Sequence, residues 1–408
     1  MIIHTKIKYS ILLVIPLILL ILLPAVSLAD TYRIPGKSDM DKEAIEAYKQ
    51  AIRIDPDDAV AHYDLGDAYV NSGMDKEAIE AYKQAIRIDP DFAEAHCNLG
   101  LAYKRSGMDK EAIESYKRAI RIDPDFAEAY YNLGLAYKRS GMDKEAIESY
   151  RQAVRIDPDF AEAHFNLGYI YGSIGMDKEA IESYKQAIRI DPDNAEAHFN
   201  LGYAYGESGM HKEAIEAFRR AIRIDPDNAE VHFNLGYAFK RSGIDEEAIE
   251  AFRQSIRINP DYAEAHYNLG YAYGSIGMYK EEIEAYKQVI RIDPDYAEAH
   301  YNLGNAYGES GMHKEAIGAF QQSIRINPDD AEAHYNLGNA YGESGMHEEA
   351  IEAFQQAIKI NSDDVDAHYN LGYTYILLND RDSALEQYKI LKSLDVELAN
   401  KLFSSIYK

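Results

Sequence analysis

The chain has no tryptophan and a single cysteine, Cys97, in 408 residues. One thiol excludes any intramolecular disulfide, so the fold has to stand on packing alone whatever the compartment. Cys97 reads as a small residue lining a groove rather than a reactive thiol. Equally absent are a Gly-rich phosphate loop, a Gly-x-Ser-x-Gly elbow, a paired-cysteine motif and a His-Glu-x-x-His zinc-protease pattern. No catalytic residues, cofactor or metal are therefore expected, and the chain is not read as an enzyme. Positive charge is also scarce. Lys and Arg number 43 against 69 Asp and Glu, and the net charge of −26 repels phosphate backbones, leaving basic or neutral partners and no nucleic acid.

The long apolar run is confined to the start. Lys6 and Lys8 precede an apolar stretch from Tyr9 to Leu23, then Pro24, and small residues at Ser27 and Ala29. This is the layout of a signal peptide over residues 1–29 with cleavage after Ala29. The alternative is retention as a membrane anchor through residues 9–28, since Ile11 to Leu28 is just long enough to span a bilayer. Either way the lysines hold the N-terminus inside, and everything beyond residue 30 is expected to be exported: periplasmic, extracellular or on the outer face of the membrane.

What the chain has in abundance is a period. Proline stands at 56, 90, 124, 158, 192, 226, 260, 294 and 328, always 34 residues apart. Starting each unit three residues later makes Ala59, Ala93, Ala127, Ala161, Ala195, Ala229, Ala263, Ala297, Ala331 and Val365 the first positions of ten repeats over residues 59–398. Residues 30–58 form a linker and a partial repeat, because Met40 to Pro56 match only the second half of the unit. Residues 399–408 read as a capping helix.

In the unit from Ala161 to Asn194, Asp159 is placed to cap a first helix, with Glu162 completing a capping box. That helix runs to about Ile174 and is stopped by Gly175. A second helix starts near Asp177 and ends before Pro192. Leu167, Tyr171, Ala180, Ile181, Tyr184, Ala187 and Ile188 follow the spacing of a buried stripe, while Gly168 and Ala180 are small where helices approach closely. Lys178, Glu182, Lys185 and Gln186 read as plain solvated surface. One hairpin cannot bury both faces, so neighbours must stack, and the expected fold is an all-α, right-handed superhelical solenoid with a concave and a convex wall.

The positions Leu201, Gly202, Tyr205, Gly209, Ala214, Phe218, Ala221 and Pro226, recurring through residues 40–398, resemble the tetratricopeptide repeat. The resemblance implies that the first helix of each repeat lines the concave wall and that the partners are other proteins or peptides. On that wall the sixth position is Asn98, Asn132, Asn166, Asn200, Asn234, Asn268, Asn302, Asn336 and Asn370, with Asp64 in the first repeat. The row is similar to the asparagine ladder in the repeat region of O-linked N-acetylglucosamine transferases. A carboxamide offers the donor and acceptor that a peptide unit needs. The other reading of the row is that each asparagine caps or bridges neighbouring helices.

Beside the row, the fifth position brings Tyr131, Phe165, Phe199, Phe233, Tyr267 and Tyr301, and the ninth Tyr169, Tyr203, Tyr237 and Tyr271, either as a recognition surface or as packing between repeats. Glu or Asp holds the second position from Glu94 to Asp366, and Lys104-Arg105, Lys138-Arg139 and Lys240-Arg241 the twelfth and thirteenth. Nine histidines occupy the fourth position. Stacked helices lie about 8–10 Å apart, too far for one metal to collect them, so they read as packing residues that disfavour acid. The functional expectation is an exported scaffold that binds peptide segments in its groove. The alternatives are a structural spacer or self-associating envelope protein, and a repeat arm related to a protein glycosyltransferase without its catalytic domain.

Overall fold

A computed structural model describes residues 37–407. The leader or anchor expected at the start of the chain lies outside them. The described residues form α-helices and no strand. The helices are α1 Lys37–Ile54, α2 Ala59–Asn71, α3 Asp75–Ile88, α4 Ala93–Arg105, α5 Asp109–Ile122, α6 Ala127–Arg139, α7 Asp143–Ile156, α8 Ala161–Ser173, α9 Asp177–Ile190, α10 Ala195–Glu207 and α11 His211–Ile224. They continue as α12 Ala229–Arg241, α13 Asp245–Ile258, α14 Ala263–Ser275, α15 Tyr279–Ile292, α16 Ala297–Glu309, α17 His313–Ile326, α18 Ala331–Glu343, α19 His347–Ile360, α20 Val365–Leu377, α21 Arg381–Leu394 and α22 Val396–Ile406. Even-numbered helices from α2 to α20 open the repeats and the odd-numbered ones close them. Two compact units divide within α7, one up to Ala146 and one from Ile147, and each is an all-α run of stacked helix pairs.

Backbone requirements explain the period. Each first helix ends in a glycine at φ between 70° and 75°, a left-handed conformation that costs an L side chain but not glycine. In the last repeat Asn379 takes that place at φ 59°, the residue other than glycine that tolerates it best. The helix start differs from the sequence expectation by one residue. Asp159 does not cap α8, whose N-cap is Phe160 with no side-chain acceptor. The Asp159 amide instead donates to Asp157 Oδ1 at 3.1 Å, within the proline turn. Side-chain caps form where the following residue is Asp or Asn, as at Asp58, Asn194, Asn228, Asp330 and Asp364.

The eighth-position glycine belongs to a close approach. A Cβ on Gly202 would stand 2.6 Å from the Phe218 ring, and one on Gly236 would stand 2.7 Å from Phe252, so the glycine makes room for the aromatic at position 24. Those rings are the core: Tyr82 and Tyr116 in the first unit, and Phe252 and Tyr286 in the second, have almost no exposed surface. Cys97 joins them. It is 2% exposed beside Tyr116 and Ala112, and burial pushes its thiol up to about 12, so it lies in the core and not along a groove.

The outer face is less plainly solvated than its charges suggest. Lys185 holds its ammonium 5.6 Å from the centre of the Tyr205 ring in the next repeat, and Arg219 and Arg253 sit in the same way over Phe239 and Tyr273. At the end of the chain α22 starts at Val396, where Asp395 accepts the amides of Glu397 and Leu398. Its Leu402 and Ile406 pack with Ala384 and Leu391.

Candidate functional site

Residues at positions 2, 6, 9 and 13 of a first helix fall on one stripe, because steps of four, three and four residues keep to one face. In the second unit three consecutive stripes read Glu196-Asn200-Tyr203-Glu207 on α10, Glu230-Asn234-Tyr237-Arg241 on α12 and Glu264-Asn268-Tyr271-Ser275 on α14. The ninth-position tyrosines protrude: Tyr203 is 53% exposed, Tyr237 48% and Tyr271 56%, with Tyr169 also exposed. A cleft of about 460 Å³ lies against these stripes, lined by Tyr203, Glu207, Phe233, Asn234, Tyr237, Arg241 and Asn268 among others, with His211 and Phe218 from α11.

The asparagine row is not uniform, and what most of its members do follows the residue 35 positions earlier. In four cases where the preceding repeat has a fifth-position tyrosine, the carboxamide nitrogen donates across the seam to its hydroxyl. Asn98 donates to Tyr63 and Asn302 to Tyr267 at 2.9 Å, Asn336 to Tyr301 at 2.9 Å, and Asn370 to Tyr335 at 3.1 Å. Three of these bond a second partner as well: Asn98 to Asp67, Asn336 to Asn305 and Asn370 to Asn339. Asn132 is buried against Cys97, its nitrogen 4.0 Å from the sulfur.

Where the preceding residue is a phenylalanine there is no such acceptor. Asn200, Asn234 and Asn268 follow Phe165, Phe199 and Phe233, and each donates to a carbonyl of its own helix, Glu196 at 3.0 Å, Glu230 at 2.9 Å and Glu264 at 2.8 Å. Each is half-buried, and its second N–H and carbonyl oxygen have no hydrogen-bond partner among the described residues. Asn166, which follows Tyr131 and not a phenylalanine, also donates to a carbonyl of its own helix, that of Glu162 at 2.9 Å. Bridging and outward-facing asparagines therefore coexist along one row.

The fifth-position aromatics are half-buried. Phe165 packs 5.8 Å from Tyr184, Phe199 6.0 Å from Phe218, Phe233 5.8 Å from Phe252, Tyr267 5.7 Å from Tyr286 and Tyr301 5.9 Å from Phe320, ring centre to ring centre. Tyr131 is half-buried too. These rings form the floor beside the row, and the ninth-position tyrosines form its raised edge.

Charge on this face is settled by pairing that the sequence pattern did not reveal. Arg105 meets Asp75 at 2.8 Å and Arg139 meets Asp109 at 3.6 Å, each in the first turn of the preceding helix, while Lys240 meets Asp245 at 2.8 Å in the first turn of the following one. Lys240 also donates to Ser275 and lies 4.9 Å from the Tyr271 ring centre. Arg241 has no ion pair among the described residues. In the first repeat the row begins with Asp64, whose carboxyl burial pushes up to about 6, with Asp67 and Asp58 adding repulsion. Neighbouring Asp67 accepts from the Tyr82 hydroxyl at 2.6 Å.

Every fourth-position histidine has a structural partner. Nε2 of His62, His96, His164, His198, His232, His266, His300 and His334 lies 3.0–3.2 Å from the carbonyl oxygen of the proline six residues earlier, and His368 does the same to Ser362. The ring ties the turn to the helix that follows. Burial lowers the pKa of His96 and His164. Their contribution to stability is present above the ordinary imidazole range near about 6.5 and is lost as pH falls below it.

The family described as TPR repeat matches residues 41–73, 66–107, 106–141, 140–175, 173–209, 207–243, 242–277, 275–311 and 309–345. The description tetratricopeptide repeat matches residues 331–364 and 353–386. No curated protein matches the chain significantly. Among solved structures, MamA protein is 31% identical over 42% of this chain and 94% of its own, at a TM-score of 0.40. YrrB, described as a TPR protein with an unusual peptide-binding site, is 26% identical over 46% of this chain and 96% of its own, at 0.44. The C-terminal part of a TPR repeat-containing protein from Cytophaga hutchinsonii is 17% identical over 59% of this chain and 99% of its own, at 0.52, a likeness of fold.

Proposed function

We propose, from the premise that this chain belongs to the tetratricopeptide repeat family, that it is an exported scaffold which binds segments of other polypeptides along the stripes of its first helices. The observation that carries the reading is the coincidence, on α10, α12 and α14, of outward-facing carboxamides with exposed tyrosines beside a cleft. Rigid amphipathic rings supply contact area at low entropic cost, and a carboxamide matches the donor and acceptor of a peptide unit whatever the side chain. Binding by such groups positions a partner without chemistry, which fits a chain whose repeats present the same residues over and over rather than converging different ones. Export is supported by the basic, apolar and small-residue order of residues 1–29.

One preparation tests both halves. The protein isolated from the envelope of its source cells is expected to begin at Asp30, and the partners it captures are expected to be lost from a folded Asn200→Ala/Asn234→Ala/Asn268→Ala variant. A chain found in the cytoplasm with Met1 in place contradicts export. Identical captures by the two proteins contradict the groove.

A further inference from the structure

The row of asparagines contains its own on-off pattern, set by a single oxygen atom in the neighbouring repeat. On α14, α16 and α18 the fifth-position tyrosine supplies a hydroxyl that takes the next repeat's carboxamide into the seam, at 2.9 Å for Asn302 and Asn336 and 3.1 Å for Asn370. In the last two of these the second N–H is also used, by Asn305 and Asn339, so nothing remains to donate to a ligand. A phenylalanine of the same size, packed on the same position-24 ring, leaves the carboxamide on its own helix with one N–H and the oxygen outward. Phenylalanine stands at this position only at Phe165, Phe199 and Phe233, so the open asparagines are the three consecutive ones, Asn200, Asn234 and Asn268.

What surrounds the open run selects the occupant. Glu196, Glu230 and Glu264 are exposed one turn before the asparagines, and Glu207 adds a fourth carboxylate, against Arg241, which has no ion pair among the described residues. A polypeptide lying across these helices meets one open carboxamide and one glutamate at each, about every 8–10 Å, or every third residue of an extended chain.

We propose that α10, α12 and α14 form a binding site for an extended, lysine- or arginine-bearing polypeptide segment, and that the fifth-position residue of the preceding repeat, phenylalanine or tyrosine, determines which asparagines can hold it. The inference rests on the groove reading above and narrows it to one stretch and one class of partner. The phenylalanines are positioning residues: they do not touch the segment but leave the carboxamide free to do so. Tyrosine is already accommodated at this position in the repeats that carry Tyr267, Tyr301 and Tyr335, so the exchange keeps the packing and adds only the acceptor.

The test uses the purified full chain and a fluorescent peptide of about ten residues with lysine at every third position and glycine, serine and threonine between, beside its glutamate counterpart, with binding read by anisotropy. The wild-type chain is expected to bind the lysine peptide and not the glutamate one. Phe165→Tyr/Phe199→Tyr/Phe233→Tyr, with its melting unchanged, is expected to bind at least about tenfold more weakly, as three captured carboxamides would each forgo a ligand hydrogen bond. Asn200→Ala/Asn234→Ala/Asn268→Ala is expected to lose binding similarly, and Asn302→Ala/Asn336→Ala/Asn370→Ala to bind as the wild type does. Wild-type affinity in the tyrosine variant, alongside loss in the first alanine variant, overturns the tyrosine lock and leaves the groove standing. Wild-type affinity in both overturns the groove as well. A wild-type chain that ignores the lysine peptide, or prefers the glutamate one, overturns the choice of occupant.

Discussion

Phe252→Ala is expected to cost about 3–5 kcal/mol, the usual loss for emptying a fully buried aromatic site. The ring is wholly buried, packs 5.8 Å from Phe233 and fills the space that Gly236 leaves open. Gly236→Ala carries two opposed effects. Alanine improves helix propensity by about 1 kcal/mol, but its Cβ would stand 2.7 Å from Cδ1 and Cε1 of Phe252, and crowding a packed core costs about 1–3 kcal/mol. A net loss is expected in the wild-type background. With Phe252→Leu already present the clash is relieved, and the same Gly236→Ala change is expected to be neutral or stabilising. Urea unfolding followed by helical circular dichroism measures the wild type and all four variants. Additive losses in the double variant would show that something other than the ring holds position 236 to glycine.

The second large effect concerns a carboxylate where the other repeats place alanine. Position 20 is Ala248 in one neighbouring repeat and Ala316 in the other, but Glu282 in α15, where it is 9% exposed. Its oxygen lies 2.7 Å from where a Cβ on Gly274 would stand, so the glycine tolerates the longer side chain. Burial, then repulsion from Glu309, pushes its carboxyl up to about 7. The folded-state pKa is raised above the unfolded value near about 4.3, so the associated stability is fully present below that value and lost as pH rises through about 7. Glu282→Ala is therefore expected to be the more stable protein at about pH 8, by on the order of 1–3 kcal/mol, with the gap closing toward about pH 5. His96 and His164 act in the opposite sense but are common to both proteins, so the comparison isolates Glu282. An equal gap at both pH values would mean the penalty is steric, not electrostatic.

The fold could be read from residues that answer local backbone demands. Pro192 cannot continue a helix, Gly175 and its equivalents occupy a left-handed conformation, and the core stripe of α9 follows from helical spacing; each declares its role within a few residues. The helix cap was placed one residue early because Asp159 and Phe160 both follow the proline, and only the turn's closure onto Asp157 shows which of them is the last non-helical residue. Cys97 was misplaced because its position is half-buried in other repeats and becomes fully buried with the smaller side chain.

The asparagines were legible as a row but not as two kinds. From Asn200 to Asn370 their difference follows a residue 35 positions away, on another helix, and lies in one hydroxyl that a count of aromatics passes over. The signal was present in Phe165, Phe199 and Phe233 standing among tyrosines. It acquires meaning only when the seam between repeats is built. The pairing of Arg105 and Arg139 with the preceding helix, and of Lys240 with the following one, was hidden for the same reason, since a basic pair at a helix end looks alike whether it faces a partner or its own fold.

Partners are expected to lie against the first helices. A photo-reactive phenylalanine placed at Tyr237, on α12, and separately at exposed Glu250, on α13 of the same repeat, measures this in source cells. Polypeptide adducts from position 237 and none from position 250 are the result the account predicts; adducts only at 250, or equally at both, would contradict it.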